Sequence, residues 1–212
     1  MTTNEVITLD FNASPSDQLP EWKKNGSRLY IDPGDSILSL LKMQYDGRET
    51  YYGTYAFKAN KDYTYTSFVA QKTKTTFPIV HCFYPWVDRT IFDKVIHLEG
   101  DKFSKVYNIY ADKPEDAFYV FNPRVMEYML EPETVKLLRS FETVGGYILT
   151  TFTTNRPFSA VGRSKKPYIR FSDYETVKED ILRKLDIATD LNDTLSREIV
   201  DDGTKRSVAK IQ

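Results

Sequence analysis

The chain has 212 residues and a mass of 24.7 kDa, a length that favours a single domain. Lys plus Arg total 29 and Asp plus Glu 30, and the net charge of −1 argues against a surface built to coat nucleic acid. A single cysteine, Cys82, excludes an internal disulfide framework and a multi-cysteine zinc site, and the two histidines, His81 and His97, cannot make a three-histidine metal centre.

Residues 1–27 read as an N-terminal arm with a short strand at Val6–Phe11. A turn at Asp32-Pro33-Gly34-Asp35 leads to a short helix burying Ile37, Leu38, Leu40 and Leu41, capped by Asp35 or Ser36 and ended by Asp46-Gly47. From Thr50 the period is two: Tyr51, Gly53, Tyr55 and Phe57 share one strand face. A turn at Ala59–Asp62 returns the chain as a second strand, Tyr63–Val69, so the two form a hairpin. Further strands are predicted at Phe77–Tyr84, Lys94–Leu98 and Lys105–Tyr110, the last two joined by Glu99–Ser104.

Helices follow. Asp112 with Glu115 resembles a capping box, Asn122-Pro123 is a cap followed by proline in the first turn, and Pro132 opens a third stretch carrying Val135 and Leu138. Gly145-Gly146 reads as a turn and Tyr147–Thr153 as a strand. Residues 154–171 read as a loop. Ser172, with Glu175, caps a long helix whose Val177, Ile181, Leu185, Ala188, Leu191 and Leu195 form one apolar stripe. The expected organisation is an arm (1–27), one α+β domain (28–199) and a polar tail (200–212). The domain would hold a mostly antiparallel sheet of about five to seven strands, covered by a few helices including the long C-terminal one.

The stretch Ile96-His97-Leu98-Glu99, Phe103, Tyr107-Asn108-Ile109-Tyr110, Asp112, Ala117, Tyr119-Val120-Phe121 and Asn122–Leu130 resembles a bacterial family catalogued as domain-of-unknown-function 3137. Gly145–Leu149 and the late helix occur in the order the family has them, and the resemblance covers about residues 96–152. The resemblance implies an α+β domain and carries over no catalytic residue. Many members of that family look membrane-tethered, with two hydrophobic segments ahead of the domain. This chain shows no apolar run of the ~20 residues a span requires. The expectation is therefore a soluble relative, or a domain whose numbering begins after an anchor.

Four groups of residues invite a functional reading. Arg156, Arg163, Lys165, Lys166 and Arg170 make the loop basic, and no acid lies between Glu142 and Asp173. Such a loop suits a phosphate, a lipid headgroup or another anion, although the spacing is not that of a Walker A loop. Phe158, Tyr168 and Phe171 are interleaved with these cations. Second, Tyr51, Tyr52, Tyr55, Tyr63 and Tyr65 load both faces of the hairpin with aromatics, so a face left uncovered would serve as a partner surface. Third, His81 and Cys82, with Asp88 nearby, have the residue types of a thiol nucleophile. Neighbours on a strand point to opposite faces, so the two should not touch, and Cys82 reads as a small buried hydrophobe. Fourth, His97 and Glu99 share a strand face at i and i+2, too few ligands for a closed metal site.

Together these features predict a non-enzymatic interaction or scaffold domain with a protein partner or an anionic ligand and no cofactor, cytoplasmic or peripheral to the inner face of the membrane. The alternatives are a hydrolase using His81 or His97 with acidic residues, and an anion-binding role centred on 156–170.

Overall fold

The computed structural model describes the backbone of residues 5–6, 36–59, 62–85, 94–98, 101–154, 160–161, 167–168 and 174–209, and the side chains of most of these. Eight strands form one antiparallel sheet. They are β1 (Glu5–Val6), β2 (Ser36–Tyr45), β3 (Arg48–Ala59), β4 (Asp62–Lys72), β5 (Val80–Phe83), β6 (Asn108–Ala111), β7 (Leu138–Val144) and β8 (Tyr147–Thr153). Their spatial order is β1-β2-β3-β4-β8-β7-β5-β6. A separate pair, β9 (Ala160–Val161) with β10 (Pro167–Tyr168), is also antiparallel. The helices are α1 (Asp101–Val106), α2 (Pro114–Val120), α3 (Pro123–Met129), α4 (Pro132–Leu137) and α5 (Tyr174–Ala209). The protein is an α+β domain.

The expected hairpin at 51–69 is present as β3 and β4, paired from Thr50↔Gln71 to Ala59↔Asp62. The helix expected over Ile37–Leu41 is instead strand β2, paired with β3 through Tyr45↔Arg48. Its leucines favour helix locally, but ladder pairing with β3 overrides that weak preference. Asp46-Gly47 does not end a helix. Both residues have positive φ (47° and 71°), and they close the β2–β3 hairpin in the conformation Asp-Gly favours. The same device recurs at Gly145 (φ 55°) and Gly146 (φ 78°), which join β7 to β8.

Further corrections lie in the middle of the chain. Residues Asp101–Val106 are helix α1, where a connection and the start of a strand were expected, and β6 begins only at Asn108. Lys94–Leu98 contributes a single bridge, Ile96 to Ile109. Strand β7 was not anticipated: Leu138, expected on a helix, starts it. Asp112 is not a cap, since α2 begins from Lys113 without a side-chain cap bond. Asn122 is one: its Oδ1 accepts from Val125 N at 3.0 Å. Ser172 lies outside the described residues.

Alternation along the strands sends side chains to two cores. The larger packs Tyr52, Val69, Val80, Cys82, Ile109, Phe141, Ile148 and Phe152 of the sheet against residues of the helices, including Leu185, Ala188, Leu191 and Leu195 of α5. The smaller gathers Leu40, Tyr51, Tyr55, Phe68, Ala70, Val144, Tyr147 and Leu149 on the other face.

Gly146 has open space around an added Cβ, so its requirement is conformational. Gly146→Ala should lower stability by about 1 kcal/mol in chemical denaturation, and Gly146→Asn by less, because asparagine tolerates the left-handed region better.

Candidate functional site

Helix α5 lies across the sheet, and its inner face carries two polar nodes within the apolar stripe. The first is Lys184. Its side chain is fully buried, and its Nζ donates to Asp180 Oδ2 at 2.5 Å, Thr154 Oγ1 at 3.2 Å and Ser67 Oγ at 3.5 Å. Tyr52 OH also donates to Ser67 Oγ, at 3.2 Å. Burial lowers the Lys184 pKa, against the opposing pull of Asp180. Burial likewise pushes the Tyr52 phenol up to about 12. Lys184 therefore joins helix to sheet as a paired buried charge.

The second node is a chain of neutral groups. Ser196 Oγ donates to Asn192 Oδ1 at 3.3 Å, Asn192 Nδ2 to Gln71 Oε1 at 3.4 Å, and Gln71 Nε2 to Thr189 Oγ1 at 2.8 Å. Thr189, Gln71 and Asn192 are buried. This chain opens into a cleft of about 460 Å³ lined by Arg48, Lys74, Arg124, Asn192, Asp193, Ser196 and Arg197.

Four separate segments supply the rim. Arg48 follows the β2–β3 turn. Lys74 sits on the connection after β4, where Thr73 N and Oγ1 both bond Gly146 O at 2.9 Å. Arg124 lies in the first turn of α3, and Asp193 and Arg197 are one turn apart on α5. Among the described lining residues, four cations thus accompany one carboxylate, that of Asp193. Arg48 Nη1 meets Asp46 Oδ2 at 2.8 Å and its Nη2 pairs with Asp193 Oδ1, while Arg197 Nη2 is 3.8 Å from Asp193 Oδ2. Among the described residues, no carboxylate lies within ion-pair reach of Lys74. Such a concave cluster of guanidinium and ammonium groups binds anions, with arginine forks matched to carboxylate or phosphate.

The sequence-predicted residues fall elsewhere. Arg156, Arg163, Lys165, Lys166 and Arg170 lie outside the described residues, as do Phe158, Phe171, Asp88 and Glu99. Tyr51, Tyr52 and Tyr55 are buried, which corrects the expectation that they present an open partner face. Tyr52 enters the helix-side core and the other two the smaller core, where Tyr51 tilts against Tyr147 and Tyr55 against Phe68. Tyr63 and Tyr65 are backbone members of β4, and their side chains lie outside the described residues.

His81 and Cys82 point to opposite faces, as strand geometry requires, with Cys82 buried in the larger core. His81 does meet a carboxylate: its Nδ1 is 2.8 Å from Glu142 Oε2 across the β5–β7 ladder. His81 is 4% exposed and Glu142 0%, on the sheet face opposite the α5 cleft. Ser140, the hydroxyl two residues along β7 on the same face, is hydrogen-bonded to Thr151 Oγ1 at 2.6 Å. The pair therefore reads as a buried cross-strand tie. His97 is exposed. Among the described residues, no three His, Cys, Asp or Glu side chains gather in a metal-holding group, and no helix is long and apolar enough to cross a membrane.

The cleft residues were not singled out from the sequence. A signal was present on the C-terminal helix: Thr189, Asn192 and Ser196 recur at three- and four-residue steps beside the apolar stripe, where polar groups need partners.

The architecture is that of an α+β protein with one antiparallel sheet beneath a long helix. No family model matches the chain, and no curated protein does. Among solved structures, the crystal structure of the mycobacterial trehalose monomycolate transport factor A, TtfA, aligns with a TM-score of 0.48 at 10% identity, covering 75% of this chain and 72% of that one.

Two measurements test these assignments. Lys184→Met combined with Asp180→Ala should be neutral or stabilising by about 1–4 kcal/mol near pH 7, since apolar side chains replace the whole ion pair, whereas Asp180→Ala alone should destabilise by leaving the buried ammonium without its carboxylate. Because the folded-state Lys184 pKa is lowered, the unfolded chain binds the extra proton between that value and 10.5, so wild-type stability rises with pH there. Any advantage of the double variant should shrink as the pH approaches 10.5. Glu142→Ala should cost about 3 kcal/mol or more by denaturant titration, and Glu142→Gln, which retains an acceptor for His81, markedly less.

Proposed function

We propose that the chain is a non-enzymatic interaction domain that engages an anionic partner through the α5 cleft. The observation that carries this reading is the cleft itself: Arg48, Lys74, Arg124 and Arg197 converge on one concavity around Asp193, the one carboxylate among the described lining residues, beside the buried Asn192 amide and the part-buried Ser196 hydroxyl. Catalysis needs a nucleophile or general base in reach of bound substrate. Among the described lining residues the Ser196 hydroxyl donates to Asn192 rather than to a base, and Asp193 is held by Arg48 and Arg197, so charge complementarity is the main chemical resource of the cleft.

A site of action at the inner face of a bacterial membrane is part of the proposal. It extends the expected likeness of residues 96–152 to the domain-of-unknown-function 3137 family, many of whose members look membrane-tethered, and it is supported by the fit of a cationic cleft to acidic headgroups. The basic stretch 156–170 would add to the same attraction.

A thermal-shift panel tests the reading. Its arms are inorganic phosphate, soluble phosphate esters, acidic vesicles and neutral vesicles, each with wild type and a Lys74→Glu/Arg197→Glu variant. A ligand at a hundredfold excess over its dissociation constant should stabilise the wild type by about 2.7 kcal/mol. The shift should vanish in the variant and weaken with salt. A flat wild-type response across all anionic arms would refute the reading.

A further inference from the structure

We infer that Asp193 is a built-in occupant of the cleft, its carboxylate standing where a ligand phosphate binds, so that the site selects a phosphate monoester over singly charged anions. This inference rests on the reading of the cleft as an anion site.

Asp193 is the one acid among the described lining residues, and it bridges Arg48 and Arg197. One carboxylate oxygen is held by Arg48 and the other faces Arg197 at 3.8 Å. The Arg48 side chain is 15% exposed and Asp193 29%, so this contact lies at the inner end of the cation cluster, while the Arg197 side chain reaches into solvent. The second terminal nitrogen of Arg48 is already committed to Asp46 at 2.8 Å. An incoming anion therefore meets a guanidinium saturated by internal carboxylates, one of them tethered at high effective concentration.

Displacement sets the selectivity. A monoanion that replaces Asp193 exchanges one negative charge for another and gains little. A phosphate monoester carries about −1.5 to −2 at neutral pH and three acceptor oxygens. It can take over the Asp193 contacts and still engage Lys74, which lies within ion-pair reach of no carboxylate among the described residues. The neutral floor of Asn192 and Ser196 adds no charge preference of its own. A volume of about 460 Å³ leaves room beside the phosphate for a small polar substituent, such as the glycerol of a lipid headgroup or the carbon chain of a soluble ester.

The test is calorimetric titration of the full chain with inorganic phosphate, glycerol 3-phosphate and acetate. Co-sedimentation follows with vesicles containing phosphatidic acid, a monoester, or phosphatidylglycerol, a singly charged diester. Wild type should bind phosphate and the monoesters at least about tenfold tighter than acetate, as the extra charge at close range in a part-exposed site allows. Asp193→Asn should bind phosphate more tightly and acetate more tightly still, so that selectivity collapses. Asp193→Ser, which frees the same cations with a smaller side chain, should do likewise if the Asn variant fails to fold. Preference for phosphatidic acid vesicles over glycerol 3-phosphate would assign the source as lipid, and the reverse as soluble ester.

Folded Asp193 variants with unchanged or weaker phosphate affinity and unchanged selectivity would overturn the occupant role while leaving an anion cleft in place. Absence of phosphate binding in wild type and in both variants would remove the cleft reading together with this inference.

Discussion

The structure depends on the crossing of α5 over β4 and β8. Leu185, Ala188, Leu191 and Leu195 bury their side chains in the larger core, where each large aliphatic group contributes about 1.5–3 kcal/mol relative to exposure. The same face carries Lys184, Thr189 and Asn192, which would each be costly there without partners. The sheet supplies them: Ser67 and Thr154 for the lysine, Gln71 for the other two. Outside this seam the helix is strapped by Tyr45 to Asp186 at 2.5 Å, Tyr128 to Asp190 at 3.0 Å, and Arg48 to Asp193. Each strap comes from a different element, so apolar packing fixes the distance of the helix from the sheet and polar pairs fix its register. The cleft is the place where that register gathers cations from four separate segments.

The two faces of the sheet solve different problems. The helix side is layered and ends in a polar, charged groove. The other side is aromatic: Tyr51, Tyr55 and Tyr147 pack in the smaller core, and at the far end of the sheet Phe83 stacks on His81 and tilts against Tyr110. The His81–Glu142 pair occupies directly opposed positions on β5 and β7, with Tyr110 opposite His81 on β6. A carboxylate enclosed in such surroundings is tolerable only with a donor in contact, and a ring nitrogen at 2.8 Å provides one.

Much of this fold was legible in the sequence where one local signal acted alone. The α5 stripe, the β3–β4 alternation, the Asn122 cap and the Gly145-Gly146 turn each announce themselves within a few residues. The sequence misled where two signals competed. Leu-rich β2 carries helix propensity, and only its pairing with β3 makes it a strand. Strand β7 hides between a proline-initiated helix and a glycine turn, and α1 was mistaken for a strand connection because six residues span fewer than two helical turns, too few to repeat an apolar stripe. The cleft was illegible for another reason. Its cations come from positions 48, 74, 124 and 197, and nothing short of the assembled topology brings them together. Tyr51, Tyr52 and Tyr55 illustrate the opposite case: their clustering on a hairpin left open whether one face stays uncovered, and only the assembled sheet, with a core on each side, buries all three.

The strand order has a consequence for how the molecule is made. Strands β2 to β4 form a meander of neighbours in sequence, yet β5 does not join β4; β7 and β8 are inserted between them. A ribosome producing this chain therefore releases β4 with one edge unpaired, and that edge waits until Tyr147–Thr153 has emerged. During that interval Phe68 and Val69 stand on an open strand border, the kind of border that templates pairing with other chains. Lys72, Lys74 and the threonines just beyond β4 follow this border closely. Polar and charged residues so placed discourage a stray strand from docking, so the sequence after β4 guards the half-finished sheet as well as lining the finished cleft.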